Sequence, residues 1–274
     1  MTVGGWLDRL RTATASRGRL CVGIDPHPAL LDAWGLPRNA DGLEAFAEIC
    51  VEAFVGEIAV VKPQVAFFEA YGSAGFAVLE RTITVLRDAG TMVIADAKRG
   101  DIGTTMRAYA QTWLGEESPL SSDAVTVSPY LGFDSLTETF DVASAHGRGV
   151  FVLARTSNPE GSSVQLAESN ERSVAQAVVD GARTVGRDGL GTVGLVVGAT
   201  RDHGLDLEGF GGPILAPGLG AQGAEVGDLR HIFGDCKDLL LPSSSRGVLA
   251  AGPTVGALQD AARTLRDEIE TALA

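Results

Sequence analysis

Cysteine, histidine and aromatic residues are scarce in this chain, and so are basic ones. Its three cysteines in 274 residues, Cys21, Cys50 and Cys236, are odd in number, widely spaced and without a C-x-x-C pair. That excludes a fully paired disulfide framework and a cysteine-only zinc site. The four histidines, His27, His146, His203 and His231, show neither metal-ligand spacing nor an H-E-x-x-H motif, and no G-x-S-x-G places a serine nucleophile on a sharp turn. Trp6, Trp34 and Trp113 are too scattered for a stacking platform and read as packing residues. Against 22 Lys and Arg stand 35 Asp and Glu, a formal charge of −13. A nucleic-acid backbone would meet repulsion, so an anionic ligand must be held by a local basic cluster. No uncharged apolar run reaches the roughly 18 residues of a membrane span. The N-terminus carries Asp8 and Arg9 where a secretion signal has its apolar segment. These absences predict a cytoplasmic protein with neither a nucleic-acid nor a membrane partner.

What is present is core material: 45% of residues are hydrophobic. Short apolar runs recur at 20–24, 58–61, 92–95, 124–127, 150–154, 192–197, 213–216 and 239–241, most of them ending in a polar or glycine-rich segment. Such runs read as buried parallel strands. Helical patterns lie between several of them, clearest where Leu43, Phe46, Ala47, Cys50, Val51, Phe54 and Val55 recur at three-to-four spacing, with Glu44, Glu48, Glu52 and Glu57 elsewhere on the wheel. A final helix is marked by Leu258, Ala261, Ala262, Leu265, Ile269 and Leu273. Strand–helix alternation repeated about eight times predicts an α/β fold, a (β/α)8 TIM barrel, with an open doubly wound sheet as the competitor. No linker or compositional break divides the chain, so residues 1–274 are expected to form a single barrel domain.

In barrels the loops after the strands build the active site. The sharpest candidate is the run 93–105, VIADAKRGDIGTT. Asp96 and Lys98 alternate and point the same way if the strand continues through both, and Asp101 follows three residues later. Carboxylates beside the ammonium would hold that lysine charged. A structural ion pair at a strand end explains these residues equally well, as does Asp101 serving only as a helix cap. Lys62 tips the balance, because it ends the preceding apolar run, and neighbouring strand ends can deliver Lys62, Asp96, Lys98 and Asp101 to one pocket. Four charges in one cleft cost several kcal/mol of desolvation unless well paired, an expensive arrangement for structure alone. Late in the chain, 214–223 (ILAPGLGAQG) ends a strand in Pro217 and Gly218 and offers glycine N–H groups to an anion. Arg246, in SSSRG, adds a fork of donors suited to phosphate. Together they match the phosphate site that barrels build after their seventh and eighth strands. GLGAQG also satisfies G-x-G-x-x-G, but Asp238 would precede its strand where a dinucleotide fold needs the acid after it.

These residues resemble orotidine 5′-phosphate decarboxylase, in particular its longer bacterial subgroup. The D-x-K-x-x-D pattern is present as Asp96, Lys98 and Asp101, with Ile102 and Thr105 at matching offsets. Asp25 in VGIDP, Lys62 in VVKPQ, Ser157 in TSNP, Gln222 in PGLGAQG and Arg246 in SSSRG match the family's other segments. Arg99–Gly100 and Gly103 depart from it where many members carry an apolar residue and a proline. The resemblance implies conversion of orotidine 5′-monophosphate to UMP and CO2 in de novo pyrimidine synthesis, with no metal and no organic cofactor. It assigns Lys98 to carbanion stabilisation and C6 protonation, and Asp96 to the neighbourhood of the departing carboxylate. Asp25 and Lys62 would meet ribose hydroxyls and Ser157 the pyrimidine edge. Phosphate would be held by Arg246, Gln222 and the Pro217–Gly218 turn. It further implies a homodimer with shared active sites, in which Asp101, Ile102 and Thr105 reach into the partner's site. Magnesium-dependent sugar-phosphate decarboxylases and aldolases share D-x-K-x-x-D, but they typically place a glutamate at the second strand end, where Lys62 would repel Mg²⁺. A Schiff-base aldolase is disfavoured because a lysine between Asp96 and Asp101 stays protonated. A noncatalytic nucleotide sensor would need the phosphate loops but not the charged quartet.

Overall fold

The computed structural model describes residues 5–169, 171–186, 191–200, 202–220 and 224–274. Each of the apolar runs overlaps a strand: β1 (Cys21–Ile24), β2 (Val60–Pro63), β3 (Met92–Arg99), β4 (Ala124–Val127), β5 (Gly149–Arg155), β6 (Val193–Val197), β7 (Ile214–Pro217) and β8 (Leu240–Ser244). Each of these eight strands pairs in parallel with its neighbours, and β8 returns to β1 through Cys21 opposite Ser243, closing the (β/α)8 barrel. Closure leaves no edge strand to be covered. The open doubly wound sheet is thereby excluded.

The strands run further toward their C-terminal ends than their hydrophobicity does. β3 continues through Asp96 and Lys98 to Arg99, and β8 through Ser243 and Ser244. Backbone pairing is indifferent to side-chain polarity. An apolar run therefore marks the buried part of a strand and misses the polar tip that projects from it.

Two apolar layers result. Alternate strand residues such as Val22, Val61, Val93, Val125 and Val152 face outward into the ring of helices. There the helix Ala40–Phe54 buries Leu43, Phe46, Ala47, Cys50 and Phe54, and the helix Val255–Leu273 buries Leu258, Ala262, Ile269 and Leu273. The intervening residues, among them Val60, Ile94, Phe151, Val196 and Leu241, fill the barrel interior together with Trp6, Leu10 and Ala13 of the helix Trp6–Arg17. That helix plugs the end where the strands begin. Trp6 meets Phe151 edge-to-face at 6.2 Å between ring centroids, and it lies so close to β5 that a Cβ on Gly149 would come within 2.3 Å of the indole. With this end sealed, ligand access is left to the opposite mouth. No helix among the described residues is long and apolar enough to cross a membrane.

Candidate active site

At the C-terminal mouth of the barrel opens a cleft of about 670 Å³, reached by residues from nearly every strand end. Its floor is apolar, with Leu153, Val196 and Leu215, while Asp25, Lys62, Gln64, Asp96 and Lys98 form one wall. Asp96 is the hub. Lys98 Nζ and the Thr126 hydroxyl donate to its Oδ1 at 2.6 and 2.8 Å. Lys62 Nζ and Gln64 Nε2 donate to its Oδ2 at 2.8 and 3.0 Å. Four donors occupy the roughly four lone-pair positions of a carboxylate, so Asp96 has no acceptor capacity left. Burial works to raise its pKa, but the charges of Lys62 and Lys98 outweigh it and the carboxyl is held well below its ordinary range. The same balance governs Lys62. Burial opposes its charge, the fields of Asp96 and Asp25 prevail, and its pKa is raised.

Lys98 does not reach Asp96 by simple alternation along a regular strand. The β3–β4 register shifts between Ala95 and Arg99, and Lys98 itself has φ +48°. A non-glycine residue in this left-handed region costs about 1–2 kcal/mol. The local distortion turns a lysine whose side chain is 45% exposed back onto a carboxylate that is 7% exposed. Arg99, next in the chain, pairs with Glu69 and lies over the rings of Tyr109 and Trp113, anchoring the segment just beyond the distortion.

The remaining predicted residues divide into three groups. Asp25, Ser157, Pro217, Gly218 and Arg246 all line the cleft. Asp25 Oδ1 is buried and has no hydrogen-bond partner among the described residues. Gly218, with φ +96°, turns the chain at the end of β7, and Arg246 is exposed at the rim with no ion pair to any described residue. Ser157 sits where β5 ends, against Gly198, at which an added Cβ would lie 2.9 Å from the serine Cβ. Gln222 lies outside the described residues. Asp101, Ile102 and Thr105 are displaced from the cleft of their own chain. Asp101 accepts the Ile102 N–H at 2.8 Å, Ile102 is 62% exposed, and Thr105 is exposed on the helix Gly103–Leu114. The charged quartet expected in one pocket is therefore a trio within one chain, because β3 ends at Arg99 and the backbone has left the mouth before Asp101.

Several contributors escaped the sequence reading. Thr126 is the lone polar residue of the apolar strand A-V-T-V, a signal that was legible. Gln64 follows Lys62 by two residues and shares its carboxylate oxygen. The segment 156–165 contains a 3-10 turn at Pro159–Gly161 and a short helix at Ser162–Gln165. Buried Arg155 staples it by donating to the Thr156 carbonyl, Gln165 Oε1 and Ser162 Oγ at 2.8, 2.9 and 3.0 Å. Cys21 is fully buried in β1, where burial pushes its thiol up to about 12. That excludes a thiolate nucleophile at neutral pH.

The chain is similar to known proteins over its whole length. It is 52% identical to the orotidine 5′-phosphate decarboxylase of Corynebacterium glutamicum (strain R), over 97% of this chain and 98% of that protein. A crystal structure from Streptomyces avermitilis, provisionally described as an orotidine 5′-phosphate decarboxylase, superposes with a TM-score of 0.95 at 49% identity, covering 100% of this chain and 97% of that one. The OMP decarboxylase of Leishmania donovani superposes with a TM-score of 0.78 at 30% identity, covering 98% and 99%. Residues 18–261 match the family model described as orotidine 5′-phosphate decarboxylase / HUMPS, and the chain belongs to that family.

Proposed function

We propose that this protein decarboxylates orotidine 5′-monophosphate to UMP and CO2 as the closing step of UMP synthesis, without metal or organic cofactor. The observation that carries this reading is the Lys62–Asp96–Lys98 array: a carboxylate saturated with donors and held ionised between two ammonium groups in the wall of a nucleotide-sized cleft. Cleavage of the C6–carboxylate bond leaves an electron pair in an in-plane orbital on C6, orthogonal to the ring π system and so unable to delocalise into it. A fixed cation is what such a site requires. Lys98 stabilises the developing carbanion and transfers a proton to C6, recovering one from solvent after product leaves. Asp96, having no free lone pair, acts as a fixed negative charge. It keeps Lys98 oriented and opposes the substrate carboxylate, whose departure as neutral CO2 relieves that repulsion.

Binding energy far from C6 assembles this arrangement. Arg246 and the Gly218 turn, with Gln222, hold the phosphate. Asp25 and Lys62 meet the ribose hydroxyls, and Ser157 meets the pyrimidine edge. Asp101, Ile102 and Thr105 complete the site of a second copy in a homodimer. The exposure of Ile102, Tyr130 and Leu131, at 62%, 80% and 52%, supports a covered face there. Within the same family, magnesium-dependent chemistry on sugar phosphates is disfavoured by Lys62, a cation at the end of β2 where a metal would need a carboxylate.

The deciding experiment follows absorbance loss on adding orotidine 5′-monophosphate, with and without EDTA. Turnover that survives exhaustive chelation is expected. Strict dependence on Mg²⁺, or turnover of sugar phosphates alone, would overturn the reading.

A further inference from the structure

Thr126 occupies a position in β4 where a purely apolar residue would complete the strand, and it is 1% exposed. Its hydroxyl has one proton to give and lone pairs to accept with, and both functions are used within the active-site wall. It accepts the Lys98 backbone N–H at 2.9 Å and donates to Asp96 Oδ1 at 2.8 Å. The first contact has a specific cause. Where the β3–β4 register shifts between Ala95 and Arg99, the Lys98 N–H is turned out of the ladder, and Lys98 takes its left-handed φ of +48°. Without the hydroxyl, that partly buried N–H has no acceptor and the distortion has no tether. The second contact supplies the one neutral hydroxyl donor to Asp96. The Lys98 main chain and the Asp96 carboxylate are thus referenced to a single oxygen atom.

We infer that Thr126 is a positioning residue for the decarboxylation, holding the Lys98 backbone distortion and the Asp96 carboxylate in register so that the Lys98 ammonium meets C6. The inference rests on the decarboxylase reading and extends it to a residue that does not touch substrate. The alternative is that Thr126 merely satisfies buried polar groups, contributing stability and no rate. A long lysine side chain amplifies small errors at its base, and a misplacement of about 1 Å can cost on the order of 10²-fold in rate. Ground-state binding of the nucleotide, governed by Arg246 and the β7 turn, should be little affected.

The test compares Thr126→Val, which keeps the shape and removes the hydroxyl, with Thr126→Ser, which keeps the hydroxyl. Both are made in the full-length protein and read by kcat and KM for orotidine 5′-monophosphate, by UMP affinity and by melting temperature. Thr126→Val should lower kcat by roughly 10- to 100-fold, with KM and UMP affinity within about threefold, and Thr126→Ser should stay within about threefold of wild type in all of these. Unchanged kcat in Thr126→Val with a lowered melting temperature would assign the residue to stability and overturn the inference. So would equal losses in the Val and Ser variants, or a fall in UMP affinity matching the fall in kcat/KM. Should Thr126→Val not fold, Thr126→Ala carries the same test, and failure of every hydroxyl-free variant to fold would likewise make the role structural. Wild-type protein inert toward orotidine 5′-monophosphate would refute the decarboxylase reading itself, an outcome read before any variant is compared.

Discussion

Replacing Asp96 by Asn tests the electrostatics of the site through stability. The shape is kept, but the negative charge compensating two lysines is lost, and one amide oxygen cannot serve Lys62, Lys98, Gln64 and Thr126 together. Lys98 can turn to solvent, since its side chain is 45% exposed, whereas Lys62 at 6% cannot. Among the described residues its one side-chain acceptor is Asp96. Breaking a buried pair by removing one partner typically costs 3–5 kcal/mol, and the lower end, about 3 kcal/mol, suits a variant that keeps a neutral acceptor. At 2–4 °C per kcal/mol for chains approaching this size, the melting temperature should fall by roughly 6–12 °C.

The pH dependence gives the sharper discrimination. In the wild type the raised pKa of Lys62 means that its contribution is fully present below the unfolded lysine value of about 10.4 and is lost as pH rises beyond it. The depressed pKa of Asp96 means that its contribution is present above about 3.9 and is lost as pH falls through the folded value. In Asp96→Asn, burial of Lys62 is opposed chiefly by Asp25. Its folded pKa then drops below the unfolded one, the unfolded state binds more protons, and the variant gains stability as pH rises. The gap between variant and wild type, measured by thermal or urea unfolding, should therefore be widest from about pH 4 up to the lowered Lys62 pKa of the variant, narrow as pH rises from there past about 10, and close again in acid. A melting temperature within 2 °C of wild type at pH 7, or a gap that widens from pH 8 to pH 10, would refute the argument. Lys62→Met provides the internal control. Asp96 then keeps Lys98, Gln64 and Thr126, so the loss should be smaller than in Asp96→Asn.

Further expectations concern the chemistry. Lys98→Ala should abolish turnover while UMP affinity, by calorimetry, stays within a few-fold of wild type, because the lysine acts on the transition state rather than on phosphate. Arg246→Ala should weaken UMP by about 10-fold or more yet leave uridine nearly unchanged, as expected for loss of a charged contact worth about 1.5–3 kcal/mol, and equal losses for both ligands would dismiss the phosphate clamp. If each site takes Lys98 from one chain and Asp101 from the other, mixing inactive Lys98→Ala and Asp101→Ala dimers with free subunit exchange should restore about one-quarter of native activity. No recovery after verified exchange would show that Asp101 serves its own chain.

How far sequence alone reached depended on whether a signal was local. Hydrophobic runs bounded by polar tips are a local pattern, so the strands and their alternation with helices could be read directly, as could Lys62, Asp96 and Lys98 at strand ends. The helix faces of residues 40–54 and 255–273 were legible for the same reason, since periodicity and burial share one cause. What tertiary structure alone decided is how those strand ends meet. Closure through Cys21 and Ser243 rather than an open sheet is set by strand tilt and register, which no run of residues encodes locally. The left-handed turn at Lys98, the convergence of four donors on Asp96 and the double use of Thr126 arise from a register shift between two neighbouring strands. Asp101, three residues from Lys98 in sequence, leaves the cleft because the chain turns out of the barrel at Arg99. Chemistry-bearing residue types are written in the chain; which of them share an atom is settled by pairing between segments about 30 residues apart.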